Sequence, residues 1–210
     1  MRMSQLLMLF TLLLLPLSCF AVPTGLNVIP TADSLGTGQS RLEFESDGSG
    51  KLYVPHGESL IGSQAGFLLG IEGGADEVSG KTTVYNLKWQ VLPDSFILPA
   101  VAVGAQNLAH GETTQYYLVA TKNVLPVINL KLTAGEIHYD RHTNLTMAGG
   151  QFNLGPLVFK ADVASAGLVR RSGMSLGYTY KGFTVAGTLY DFKNQPSEKT
   201  VSLSYTQGIF

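Results

Sequence analysis

Apolar residues alternate with small or polar ones through most of this chain, and the alternation is clearest near its end. Across 172–210 three short alternating segments are separated by turn signals. In the first, Met174, Leu176, Tyr178 and Tyr180 face one way and Ser175, Gly177, Thr179 and Lys181 the other, because successive strand side chains point to opposite faces. In the last, Val201, Leu203 and Tyr205 alternate with Ser202, Ser204 and Thr206. The segment 81–92 places Thr83, Tyr85, Leu87, Trp89 and Val91 on one face and Asn86, Lys88 and Gln90 on the other, along with Val84. Helical spacing would leave no continuous stripe there. Further segments at 41–45, 59–67, 69–76, 96–107, 114–122, 127–139, 145–154 and 157–164 bring the expected count to about twelve strands, with ten as the alternative. Their connections are mostly a few residues long, as antiparallel neighbours require.

The polar face carries Arg41, Glu43, Glu45, Lys88, Lys131, Lys160, Asp162 and Lys181, of mixed sign. In an antiparallel up-and-down transmembrane β-barrel these eight residues would face the lumen, where opposite charges pair in water or around a plug. In a soluble sandwich the same face would be the solvent side. Composition favours the barrel. Only 14% of the residues are charged, against roughly 25% in soluble domains. Aromatic residues such as Tyr85, Trp89, Tyr178 and Tyr180 stand towards strand ends, where a membrane interface would want them. The formal net charge of -1 offers no basic stripe for phosphates, which sets nucleic acid aside as a partner.

The first 21 residues read as a signal peptide. Arg2 gives a positive start, 6–15 is an apolar run too short to span a bilayer, and Cys19, Phe20 and Ala21 supply the cleavage positions, with cleavage expected after Ala21. A lipoprotein signal with lipidated Cys19 competes, but Pro16 stands where an aliphatic residue is usual. With cleavage after Ala21, the mature chain has no cysteine and gains nothing from disulfides. Residues 22–38 lack periodicity and are rich in turn formers, so they read as a lead-in or lumen-lying segment before a single barrel domain over 39–210. A barrel this narrow is expected to be filled by side chains or by that segment. No other stretch approaches 18 continuous apolar residues, which excludes a helical membrane protein.

The string PTGLNVIPTADSLGTG at 23–38, followed by a strand at Arg41, resembles the opening of a family of Gram-negative outer-membrane barrels that includes the YjbH-like proteins associated with exopolysaccharide production. LPAVAVGAQN from Leu98 and GPLVFKADV from Gly155 suit the same grammar. The resemblance implies location in the cell outer membrane, contact with outer-membrane lipids and lipopolysaccharide, and insertion by the barrel assembly machinery. It also implies a link to envelope polysaccharide export components, and it brings no catalytic residues. An assembly signal is sought in Tyr205 and Phe210; Phe210 has the parity of Thr206, and a bulge at Gly208 would restore register.

The cluster HYDRHTN at 138–144 is the one enzymatic candidate. His142, Thr143 and Asn144 resemble the His-x-Ser-Asn string of outer-membrane lipid hydrolases, with Thr143 in place of the serine. A polar hairpin turn explains the cluster more simply. Metal binding by His138, Asp140 and His142 has shared parity in its favour and no further acidic or cysteine ligand behind it, so neither metal nor cofactor is expected. The reading is a non-enzymatic outer-membrane barrel with a structural or accessory envelope role, linked to exopolysaccharide export. A narrow anion-tolerant pore lined by Arg41, Lys88, Lys131, Lys160 and Lys181 is the first alternative, and a lipid hydrolase using His142 the second.

Overall fold

The computed structural model describes residues 25–35, 39–47, 61–63, 71–78, 82–108, 114–140, 143–167, 169–192 and 197–208. They form β1 (Gln39–Asp47), β2 (Ile61–Ser63), β3 (Ile71–Val78), β4 (Thr82–Leu92), β5 (Ala100–Gln106), β6 (Gln115–Leu125), β7 (Leu130–Asp140), β8 (Thr143–Leu154), β9 (Leu157–Ala166), β10 (Val169–Tyr180), β11 (Phe183–Phe192) and β12 (Glu198–Gly208). The cleavage region, Phe210, and the short strand-like stretch at 52–54 lie outside the described residues.

Every hydrogen-bonded pairing is antiparallel, and each strand from β2 to β12 pairs with its sequence neighbour. The departure from a simple meander is β1, which pairs with β12 from Gln39 opposite Gly208 to Asp47 opposite Thr200. First and last strands are therefore neighbours, and β1 and β2 become the two edges of the twelve-stranded sheet. The remaining seam is β1 to β2. Their Cα atoms approach within 8 Å, with no ladder bond between them among the described residues.

The alternation resolves into two faces with inverted polarity. Tyr85, Leu87, Trp89, Leu118, Leu132, Met174, Leu176, Tyr178, Val185 and Leu203 are all between 44% and 64% exposed, on the outside. Their strand neighbours Asn86, Lys88, Thr121, Thr133, Ser175, Ser202 and Ser204 are at most 8% exposed, on the inside. Burying hydroxyls and charges while displaying an apolar band is untenable in water, where each Å² of displayed apolar surface forgoes about 25 cal/mol. The same arrangement is what a bilayer requires. Towards the loop end the outer wall turns polar, with Glu136, His138, Asn144, Thr146, Arg170, Asp191 and Lys199 all exposed.

Three turns displace strand boundaries expected from the sequence. β5 begins at Ala100 because 93–99 turn, leaving Phe96 and Ile97 protruding at 99% and 80% exposure. The turn is pinned where Lys122 Nζ lies 2.8 Å from Asp94 Oδ1 and the Asn123 N–H donates to Oδ2 at 3.2 Å. Burial alone would raise the Asp94 carboxyl, but these two donors hold it below its ordinary value. β7 begins at Leu130, since Pro126–Ile128 form a 3-10 turn capped by Asn129 at φ 48. The third is Lys181. It forms a two-residue hairpin with Gly182 at φ 48 and 85, and positive φ at both positions is the type I′ pattern that matches strand twist. β10 ends before Lys181, whose ammonium lies 5.3 Å from the Tyr180 ring centroid, exposed and outside the lumen.

Candidate functional site

The inside of the sheet is occupied by the chain's own residues 25–35. Gly25 and Pro30 form an antiparallel bridge and the Leu26 N–H donates to Ile29 O at 2.9 Å, so 25–30 is a tight turn. It aims three successive backbone N–H groups, from Asn27, Val28 and Ile29, at Asp162 Oδ2 at 3.0, 2.6 and 2.9 Å, while Asn27 Nδ2 reaches Oδ1 at 2.8 Å. Successive N–H groups converging in this way make an anion-binding concavity, and here the anion is a side chain of β9. Asp162 sits opposite Gly149 of β8 and Gly173 of β10. A Cβ on Gly173 would stand 2.5 Å from Asn27 Cβ, and one on Gly149 would stand 2.5 Å from Leu26 Cδ1. The two glycines make the slot in which the turn lies.

Further along, the segment is held by the wall of β3 to β7. The Ala32 N–H donates to Thr121 Oγ1 at 2.8 Å, Gln90 Nε2 to Ala32 O at 2.9 Å, and the Leu35 N–H to Glu72 Oε1 at 2.7 Å. Lys88 donates to the carbonyls of Asp33 and, at 3.4 Å, Thr31, and forms an ion pair with Glu72; both charged side chains are fully withdrawn from solvent. Lys131 pairs with Asp33 at 2.7 Å. Between these polar anchors Leu26, Ile29 and Ala32 pack on Ala100, Val119, Ile137, Leu145, Met147 and Ala164. The apolar core of this molecule thus lies inside the lumen, between plug and wall.

No family model matches the sequence, and no curated protein matches it. The solved structures it resembles are porins. Three variants of the Rhodopseudomonas blastica porin are 12%, 14% and 13% identical to it, with TM-scores of 0.45 each. The matches cover 65%, 66% and 65% of this chain and 55%, 52% and 50% of the porins. This chain accordingly spans about half the length of the porins it matches.

On the side of the lumen that the plug does not fill, a cavity of about 250 Å³ lies between the 25–30 turn and the inner wall of β1 and β9 to β12. Arg41 pairs with Glu43. Glu45 accepts from Tyr190 Oη at 3.1 Å and from Thr200 Oγ1. Lys160 Nζ donates to Gly25 O at 3.3 Å. The five cations of the alternative pore reading do not all line this cavity. Lys88 and Lys131 are spent on the plug and Lys181 is outside, so the cavity keeps Arg41 and Lys160 against Glu43 and Glu45, two charges of each sign.

Glu72, Asp33, Asn27 and Tyr190 escaped the sequence reading. Glu72 lies in a glycine-rich stretch and Asp33 and Asn27 in a non-periodic one, so no pattern marks them; Tyr190 has inward parity in β11 and was open to detection on that ground. The histidine cluster falls at the β7 to β8 hairpin. His138 Nδ1 and Asn144 Oδ1 are 2.7 Å apart on the outer wall, and His142 lies outside the described residues. Tyr205 stacks on Phe183 with centroids 4.3 Å apart.

Proposed function

We propose that this chain is a Gram-negative outer-membrane β-barrel with a non-enzymatic structural or accessory role in the envelope, closed to bulk ion flow by its own residues 25–35. The observation that carries the reading is the inverted polarity of the wall, apolar outside and charged or hydroxylated within. The anchoring of the lead-in from Asp162 to Glu72 supports closure. Within the envelope, the resemblance of 23–38 to barrels associated with exopolysaccharide production directs the accessory role to polymer export. Planar-bilayer recording of the purified full chain tests closure, with no steady conductance as the expected result. Steady channels that lose conductance when Arg41 or Lys160 is neutralised would replace this reading with that of an anion-tolerant pore. Deleting the gene and measuring secreted polymer tests the export link, and unchanged secretion would end it.

A further inference from the structure

We propose that the lumenal cavity beside the plug is a binding site for one small, neutral, multiply hydroxylated solute of the size of a single sugar ring; the inference rests on the barrel reading above. The wall facing the plug is unlike the rest of the lumen. Where β5 to β8 turn mainly apolar residues inward, with their buried hydroxyls Thr121 and Thr133 bonded to each other at 2.9 Å, β10 to β12 turn Ser175, Thr188, Ser202 and Ser204 inward, each at most 8% exposed. Buried hydroxyls are normally hydrogen-bonded. Ser175, Thr188 and Ser204 line the cavity, so their hydroxyls are open to whatever fills it. Each hydroxyl donates once and accepts twice, the pattern that a polyol surface complements.

Charge argues for neutrality. The two cations and two carboxylates are engaged with one another, with neighbouring hydroxyls or with the plug, and their sum is zero. An ionic solute would have to displace one of those contacts and unbalance the enclosed charge. Size argues for a single ring. At about 250 Å³ the space falls below the roughly 300 Å³ at which drug-sized pockets begin. Ala186 and Gly177, paired across β10 and β11, form a small-residue stretch of the cavity wall.

Saturation-transfer NMR on the purified full chain in detergent, with D-glucose, maltotriose and gluconate as probes, tests this. The same sample is first run unboiled and boiled on a denaturing gel to show a folded barrel. The expected result is transfer to glucose alone, lost in Ala186→Phe, which fills the space, and weakened in Thr188→Val, which removes one hydroxyl. A heat-shifting protein that gives no transfer to glucose, or gives it equally in Ala186→Phe, overturns the site while leaving the barrel standing. Preferential transfer to gluconate overturns the neutral-solute assignment. A sample with no heat shift removes the barrel reading itself.

Discussion

Lys88 and Glu72 are the residues on which the interior most depends. Each is wholly withdrawn from solvent, and each also holds the plug, Lys88 through the Thr31 and Asp33 carbonyls and Glu72 through the Leu35 N–H. A buried charge stripped of its partner costs about 3–5 kcal/mol, whereas removing both together is often near neutral. Lys88→Met is therefore expected to lower unfolding stability in detergent by about that amount, and adding Glu72→Gln to recover much of it. A single variant as stable as the parent would show that the pair does not hold the interior. That Lys88 faces inward was legible from its place between Leu87 and Trp89. Its partners were not, because alternation fixes which face a residue takes and says nothing of what stands across the lumen. The same limit misassigned Lys181: parity runs on through 174–181, but a two-residue hairpin with positive φ takes the chain out of the strand.

Among the elements, the lead-in is the one whose place sequence left open. Non-periodic and rich in turn formers, 22–38 read as either a lead-in or a lumen-lying segment, and contacts of Asn27, Val28 and Ile29 more than 130 residues away in sequence put that part of it in the lumen. Gly173 allows the two to be separated experimentally. A side chain there meets Asn27 and the Asp162 carboxylate and nothing of the wall's backbone within the three nearest contacts. Gly173→Val should thus expel the 25–30 turn while leaving the strands paired, exposing it to limited proteolysis or hydrogen exchange and raising bilayer conductance, with the heat shift retained. A variant whose plug stays protected would place the turn's anchorage elsewhere. The boundaries at 93–99 and 126–129 were illegible for a different reason. Phe96, Ile97 and Val127 are apolar residues that protrude from turns, and in a membrane protein an exposed apolar turn has the hydropathy of a strand.

For the whole molecule, the run of antiparallel strands and the face taken by residues such as Lys88, Met174 and Leu203 were present in the alternation, whereas the choice between barrel and sandwich was not. Both architectures show one apolar and one polar face, and the difference lies in which face is inside. Two observations bear on the inside here: β1 pairs with β12 and comes within 8 Å of β2, which brings the two ends of the sheet together, and the hydroxyls and charges point inward around a segment of the chain. This barrel is expected to sit in the outer membrane with its apolar band towards lipid. The most direct measurement uses washed outer membranes from cells expressing the full chain, run unboiled and boiled on one denaturing gel. A barrel with its backbone bonds paired resists detergent until heated, so the protein is expected in that fraction with a mobility shift on boiling. A soluble periplasmic protein with no shift would contradict it.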